Sequence, residues 1–430
     1  LLGLVKVKDI DIQSLNAGVD LYESIQGTGF VDVEVGSGLS VFANAKNTNA
    51  IQGTSVRISS GSDLSVQVKL TATKYGIELS STSGSLTVNA GLSAKTDIWL
   101  SAEGGSIYAY TALTAIGPIT ASALRNIDMR GALKGSYVFL ESVGGNVRTY
   151  STVTATGAYT ATSAELLNPD FDNHKHGAGV YIRGLYFAGA DKSVTSKGSI
   201  VLLAEGQDAQ DYTSIIAGGA LNSSAGSVTL QSNNSIETES TVTAKTNVTI
   251  VSTGKDGGGN AIESHVRLGG AVKAGNKLRI EAPRIFSMFA ITAKDIEITA
   301  RELIELGSIT TTTNSSEILL KANGTSQVAG RIHVLGAIKA LGHVVASAGT
   351  YAENTLGSIL LEGAVSAANG HVILFAMGDI RLLSAVSSAK GSVELDARAG
   401  GNIHTMALTG WAVKLSAEGG SVKAGGAVSS

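Results

Sequence analysis

A unit of about 20 residues recurs from one end of the chain to the other, and few folds are open to a chain with that period. Leu100-Ser-Ala-Glu-Gly-Gly-Ser-Ile107 and Leu415-Ser-Ala-Glu-Gly-Gly-Ser-Val422 agree at seven of eight positions. Relaxed copies stand between them, among them Leu140-Glu-Ser-Val-Gly-Gly-Asn-Val147 and Leu395-Asp-Ala-Arg-Ala-Gly-Gly-Asn-Ile403. A unit this short cannot bury its own apolar face and must stack on its neighbours, which is the condition for a solenoid.

Each unit opens on an alternating V/I-x-L/I triplet, the period-2 mark of a half-buried strand. Its first apolar residues are Val56, Ile77, Ile98, Ile119, Val138 and Tyr159, in steps of 21, 21, 21, 19 and 21 residues. Later anchors are Val228, Val248, Leu278, Ile296, Ile318, Val344, Val372, Val393 and Val413, where the steps vary from 18 to 30. Ile10, Val33, Val180 and Ile200 are read as anchors of the same kind. Two more short strands follow within the unit: Ile98-Trp-Leu-Ser-Ala, then Ser106-Ile-Tyr-Ala-Tyr, then Ala112-Leu-Thr-Ala. Paired glycines separate them, as at Gly104-Gly105 and Gly400-Gly401, and are expected to supply the positive φ of a sharp corner. The fold expected is all-β, a right-handed parallel β-helix of about 20 residues and three short strands per coil.

Composition agrees. Proline occurs 3 times in 430 residues and aromatics make up 5%, so the core is filled by Val, Ile, Leu and Ala. A string of immunoglobulin-like sandwiches would need a period near 100 residues and buried tryptophans. Only Trp99 and Trp411 exist. The formal charge of −3, with no block of one sign, gives nucleic-acid binding no support. No apolar run is long enough for a transmembrane helix. Cysteine is absent, which fits an export route and establishes no compartment.

The whole of residues 1–430 reads as one continuous solenoid, cut from a longer array, with inserted loops near 166–179, 205–224, 254–262 and 349–357. In the first of these, Asp170, Asp172, His174 and His176 are ligand types that suit a divalent cation. A protruding polar corner has the same composition, so we read a loop there and assign no metal and no cofactor. Gly254-Lys-Asp-Gly-Gly-Gly-Asn260 lacks the spacing of a calcium loop. Arg284, Arg301, Glu302 and Glu305 form the densest charged group. Strand alternation is expected to divide them between faces, so they are read as solvated side chains and not as the clustered carboxylates of a glycosidase. No nucleophile elbow, phosphate loop or zinc-protease motif is present. A carbohydrate-binding role would be marked by aligned exposed rings, for which Tyr108, Tyr110, Tyr137 and Tyr150 are the candidates.

The phrase G-x-V/I-x-L-x-A, closed by A-V-x-A-x-G, resembles the filamentous haemagglutinin-like exoproteins of Gram-negative bacteria. Gly391-Ser-Val-Glu-Leu-Asp-Ala397 and Gly198-Ser-Ile-Val-Leu-Leu-Ala204 match the first half, and Ala364-Val-Ser-Ala-Ala-Asn-Gly370 and Ala271-Val-Lys-Ala-Gly275 the second. The resemblance implies an exported β-helical rod at the cell surface, serving as adhesin, fibre or toxin stalk. Asn168-Pro-Asp170 is not the N-P-N-G/L motif of that family's secretion domain, and no catalytic residue carries over. The function expected is therefore a non-catalytic extracellular rod. Its partners would be further repeats or other copies end to end, and a host surface or polysaccharide. The alternative is a carbohydrate-active or polysaccharide-binding β-helix of the tailspike kind.

Overall fold

The structure is a computed structural model that describes residues 5–14, 19–21, 25–41, 50–156, 180–188, 193–204, 215–255, 261–325, 327–350 and 355–430. It is all-β, a parallel β-solenoid with roughly 21 residues per turn and no helix among the described residues. The described chain forms two compact units, residues 1–206 with 216–226, and residues 207–215 with 227–430.

In the first unit the repeat reads directly as coils. Ile98–Ala102 pairs in parallel with Ile77–Ser81 behind it and Ile119–Ala123 ahead, placing Ile98 between Ile77 and Ile119 and Leu100 between Leu79 and Ala121. Ile107–Ala109 does the same between Leu86–Val88 and Ile127–Met129, and Leu113–Ala115 between Leu92–Ala94 and Leu133–Gly135. The first two strands of each coil share one sheet and the third lies in another. We call them the long, middle and short-sheet strands. The residue equivalent to Ile10 is Val31, not Val33, because the strand Phe30–Val35 begins earlier than its apolar triplet suggests.

The second unit repeats the arrangement, with Val344, Val372, Val393 and Val413 stacked in consecutive register. In the coils at Leu278 and Ile296 the long and middle strands fuse into single strands, Lys277–Ser287 and Asp295–Leu306. Three separate strands per coil is therefore the rule, and these fused coils depart from it. A register shift between Ala282 and Arg284 marks where the corner has become a bulge.

Packing explains the composition. Inward residues of the long strand run large, large, small: Ile98, Leu100 and Ala102 are at most 1% exposed. Where the third is serine, its hydroxyl crosses to a corner carbonyl of the preceding coil. Ser60 donates to the Ser37 carbonyl at 2.6 Å and Ser252 to that of Asn234 at 2.5 Å. The buried polar group is thus paired.

The corner glycines serve a different purpose from the one expected. Gly400 and Gly419 do have positive φ, at 82° and 78°, but Gly104, Gly105 and Gly117 do not. Instead, a Cβ on Gly104 would lie 2.4 Å from the carbonyl carbon of Ser83, and one on Gly117 2.4 Å from the Thr96 carbonyl oxygen. Coils stack at about 4.8 Å, and at these corners backbone meets backbone with no room for a side chain.

Candidate functional site

Among the described residues of the second unit, the longest connections fall at one corner. Residues 253–264, 323–329 and 349–356 all connect a long strand to its middle strand. Each opens on a glycine in the left-handed region: Gly254 at φ 62°, Gly324 at 73° and Gly349 at 76°. That conformation turns the chain out of the ladder without a Cβ clash. Lys255 bridges Ala261 and Thr350 bridges Thr355, both antiparallel, closing two of the loops at the neck. Residues 256–260 and 351–354, within the expected insertions, lie outside the described residues. The expected insertion at 205–224 is shorter, because Ile215–Ala217 and Leu221–Ser223 are ordinary strands and 205–214 lies outside the described residues.

Two of these loops sit on successive coils and bind each other. Thr355, 2% exposed, donates from Oγ1 to the Asn323 carbonyl at 2.7 Å, and Gly330 N–H donates to the Leu356 carbonyl at 2.9 Å. Val328 and Leu356 project at 43% and 57% exposure. The result is a short loop-bearing edge with apolar tips.

A charge group marks the same corner on the two fused coils. Arg284 Nε donates to Glu302 Oε2 at 2.7 Å and Arg301 Nη2 to Glu302 Oε1 at 3.0 Å, while Glu263 lies 3.6 Å from Arg284. The expectation that alternation separates these residues is wrong here. The bulge at the bend suspends the period of two, so residues 301–303 are all half-buried and Arg301 and Glu302 meet Arg284. Glu305 is left out of the group, on the outward face between Phe286 and His333. Burial pushes the Glu302 carboxyl up, but the hydrogen bonds and charges of Arg284 and Arg301 outweigh it and hold the group below the ordinary carboxylate range. A carboxylate held ionised in this way suits a clamp between coils. A general acid needs the opposite shift.

The tyrosines do not form one platform. Arg130 lies between Tyr110 and Tyr150, its guanidinium 4.8 Å and 5.7 Å from the ring centres. The faces that would receive a sugar hold a cation instead. Tyr108 is laddered between Thr87 and Asp128, and Tyr137 precedes the strand beginning at Val138. Asp170, Asp172, His174 and His176 lie outside the described residues. Among the described residues no group of three or more His, Asp or Glu side chains is arranged to hold a metal.

One recurring role escaped sequence reasoning. The residue before a strand turns a side-chain acceptor onto the N–H of its counterpart one coil on. Ser85 N–H donates to Asp63 Oδ1 at 2.7 Å, Asn146 N–H to Asn126 Oδ1 at 2.9 Å, His371 N–H to His343 Nδ1 at 3.1 Å and Ser392 N–H to His371 Nδ1 at 2.9 Å. The signal was present, as a polar residue just ahead of the apolar triplet. It accounts for two of the seven histidines: the rings of His343 and His371 stack 5.3 Å apart as part of this column. Compared with known proteins, the chain matches no family model, no curated protein and no solved structure.

Proposed function

We propose that the chain is the non-catalytic rod of a bacterial surface adhesin or fibre, extracellular and of Gram-negative origin, of the filamentous haemagglutinin-like kind. The observation that carries the reading is the division of labour in the second unit. Regular coils hold the ladder, and among the described residues three long connections leave it at the same corner. A stack of parallel coils resists bending and gives the loops a fixed spacing, which is what a presenting scaffold requires.

Electron microscopy and fibre diffraction of the native material test the proposal. Thin fibres on the cell surface, with an axial reflection near 4.8 Å, are expected. A protein recovered only from the cytoplasm, as dispersed particles, would overturn it and direct attention to polysaccharide cleavage.

A further inference from the structure

On the outward face of the second unit, three consecutive middle strands carry Arg267, Phe286 and Glu305 in one column. Arg267 pairs in register with Phe286 and Phe286 with Glu305. At one coil spacing each, the two charged residues stand about 10 Å apart along the axis with the ring midway. Neither Arg267 nor Glu305 forms an ion pair among the described residues, although ion pairs are common elsewhere in this unit.

Arg267 and Phe286 of this column line a groove of about 460 Å³ together with His265, Leu268, Gly269, Ser287, Met288 and Phe289, and Glu305 stands one coil beyond that lining. The groove has a simple origin. Gly269 and Gly307 occupy the corner positions on either side of Met288, so a bulky residue stands between two that have no side chain. Met288 and Phe289 remain 60% and 47% exposed as one wall. The opposite wall is fixed: His265 binds Ser235 Oγ through Nδ1 at 3.1 Å and Glu237 Oε1 through Nε2 at 3.2 Å, and its ring meets Phe286 edge-on. Ser287, 2% exposed, lines the groove, and its hydroxyl has no hydrogen-bond partner among the described residues.

We propose that this groove binds a uronic acid unit of an acidic polysaccharide. The apolar face of a pyranose packs on Phe286, its carboxylate pairs with Arg267, and its far hydroxyls donate to Glu305. Glu237 stands in register beyond Arg267 but is engaged by His265, and the cation, ring and carboxylate that follow match a molecule that bears an anion at one end and hydroxyls at the other. A peptide strand is the poorer fit. The strand His265–Leu268 is paired on both sides, so it offers no backbone edge to extend. The inference does not depend on the chain being a surface fibre.

Titration calorimetry of the full chain with trigalacturonate, maltotriose and a heparin hexasaccharide tests it. Trigalacturonate is expected to bind and maltotriose not. Arg267→Gln and Phe286→Ala should each weaken binding by about tenfold or more, with strand content by circular dichroism unchanged. Arg267 is exposed, so R267Q reports on binding even if F286A disturbs the coil. Preference for the heparin hexasaccharide, itself half uronic acid, with the same dependence on Arg267 and Phe286, would support the site and add sulfate to the anions it takes. Trigalacturonate binding indifferent to both variants, no binding of either acidic sugar, or equal competition by an aspartate-rich peptide would overturn the proposal.

Discussion

Glycine plays two separable parts in this chain. At Gly104 it admits the backbone of the preceding coil, and at Gly400 it admits a left-handed turn with nothing within 4 Å of the point a Cβ would occupy. Asparagine tolerates the left-handed region better than alanine but is larger. Gly400→Asn should therefore cost less than Gly400→Ala, whereas Gly104→Asn should cost more than Gly104→Ala, itself about 1–3 kcal/mol. Denaturant unfolding of the four variants checks the reversal. Glu302 gives a second expectation. Its folded-state acidity is below the ordinary carboxylate range, so its contribution is present in full above that range and is lost as pH falls through the depressed value. Glu302→Gln should lower stability at neutral pH by about 1–2 kcal/mol, discounted because both guanidiniums are more than a third exposed in solvent. The gap to the unaltered chain should close below about pH 4, as followed by urea unfolding across the range.

At the level of the strand and corner, two kinds of ladder hold the coils in register. Backbone bonds run within strands, and side-chain acceptors take over where the strand begins. Asp63→Ala removes the acceptor for Ser85 N–H, and hydrogen exchange at that amide should quicken by about tenfold, while Asp63→Asn keeps the protection. The loops behave differently because they hang from the ladder by their necks. Thr355→Val removes the bonds to Asn323 and Thr350, and faster exchange should appear in residues 323–330 and 349–357 while Glu317–Ala322 and His343–Ala348 keep their protection. Loss of protection in those strands would show that the loops are part of the ladder. Strand positions of this sort were legible in advance, since every later anchor from Val228 to Val413 begins or nearly begins a strand. The fused strands were not. Ala282-Pro283-Arg284 keeps an apolar-polar rhythm on both sides of the bend, and only the neighbouring coils determine that the corner flattens into a bulge.

At the scale of the whole molecule, stability is a sum over neighbouring coils. Leu374 is fully buried between Ala346 and Leu395, and Leu374→Ala should cost about 2–5 kcal/mol. The loss of hydrogen-exchange protection should centre on residues 343–397 and fade along the unit, since each coil contacts only its neighbours. Uniform loss along the unit would mean a single cooperative core. Period, composition and alternation were sufficient by themselves to determine the fold class, the coil length and the inward face, because each coil repeats a local rule that its own residues state. The tertiary structure alone decided which corner bears the loops, that Glu302 meets two arginines, that Arg130 fills the space between Tyr110 and Tyr150, and that Arg267, Phe286 and Glu305 share a column. Apart from Arg301, which adjoins Glu302, the side chains so joined lie 18 to 20 residues apart, across coils whose lengths vary with each insertion, and register between coils is set by stacking rather than by distance along the chain.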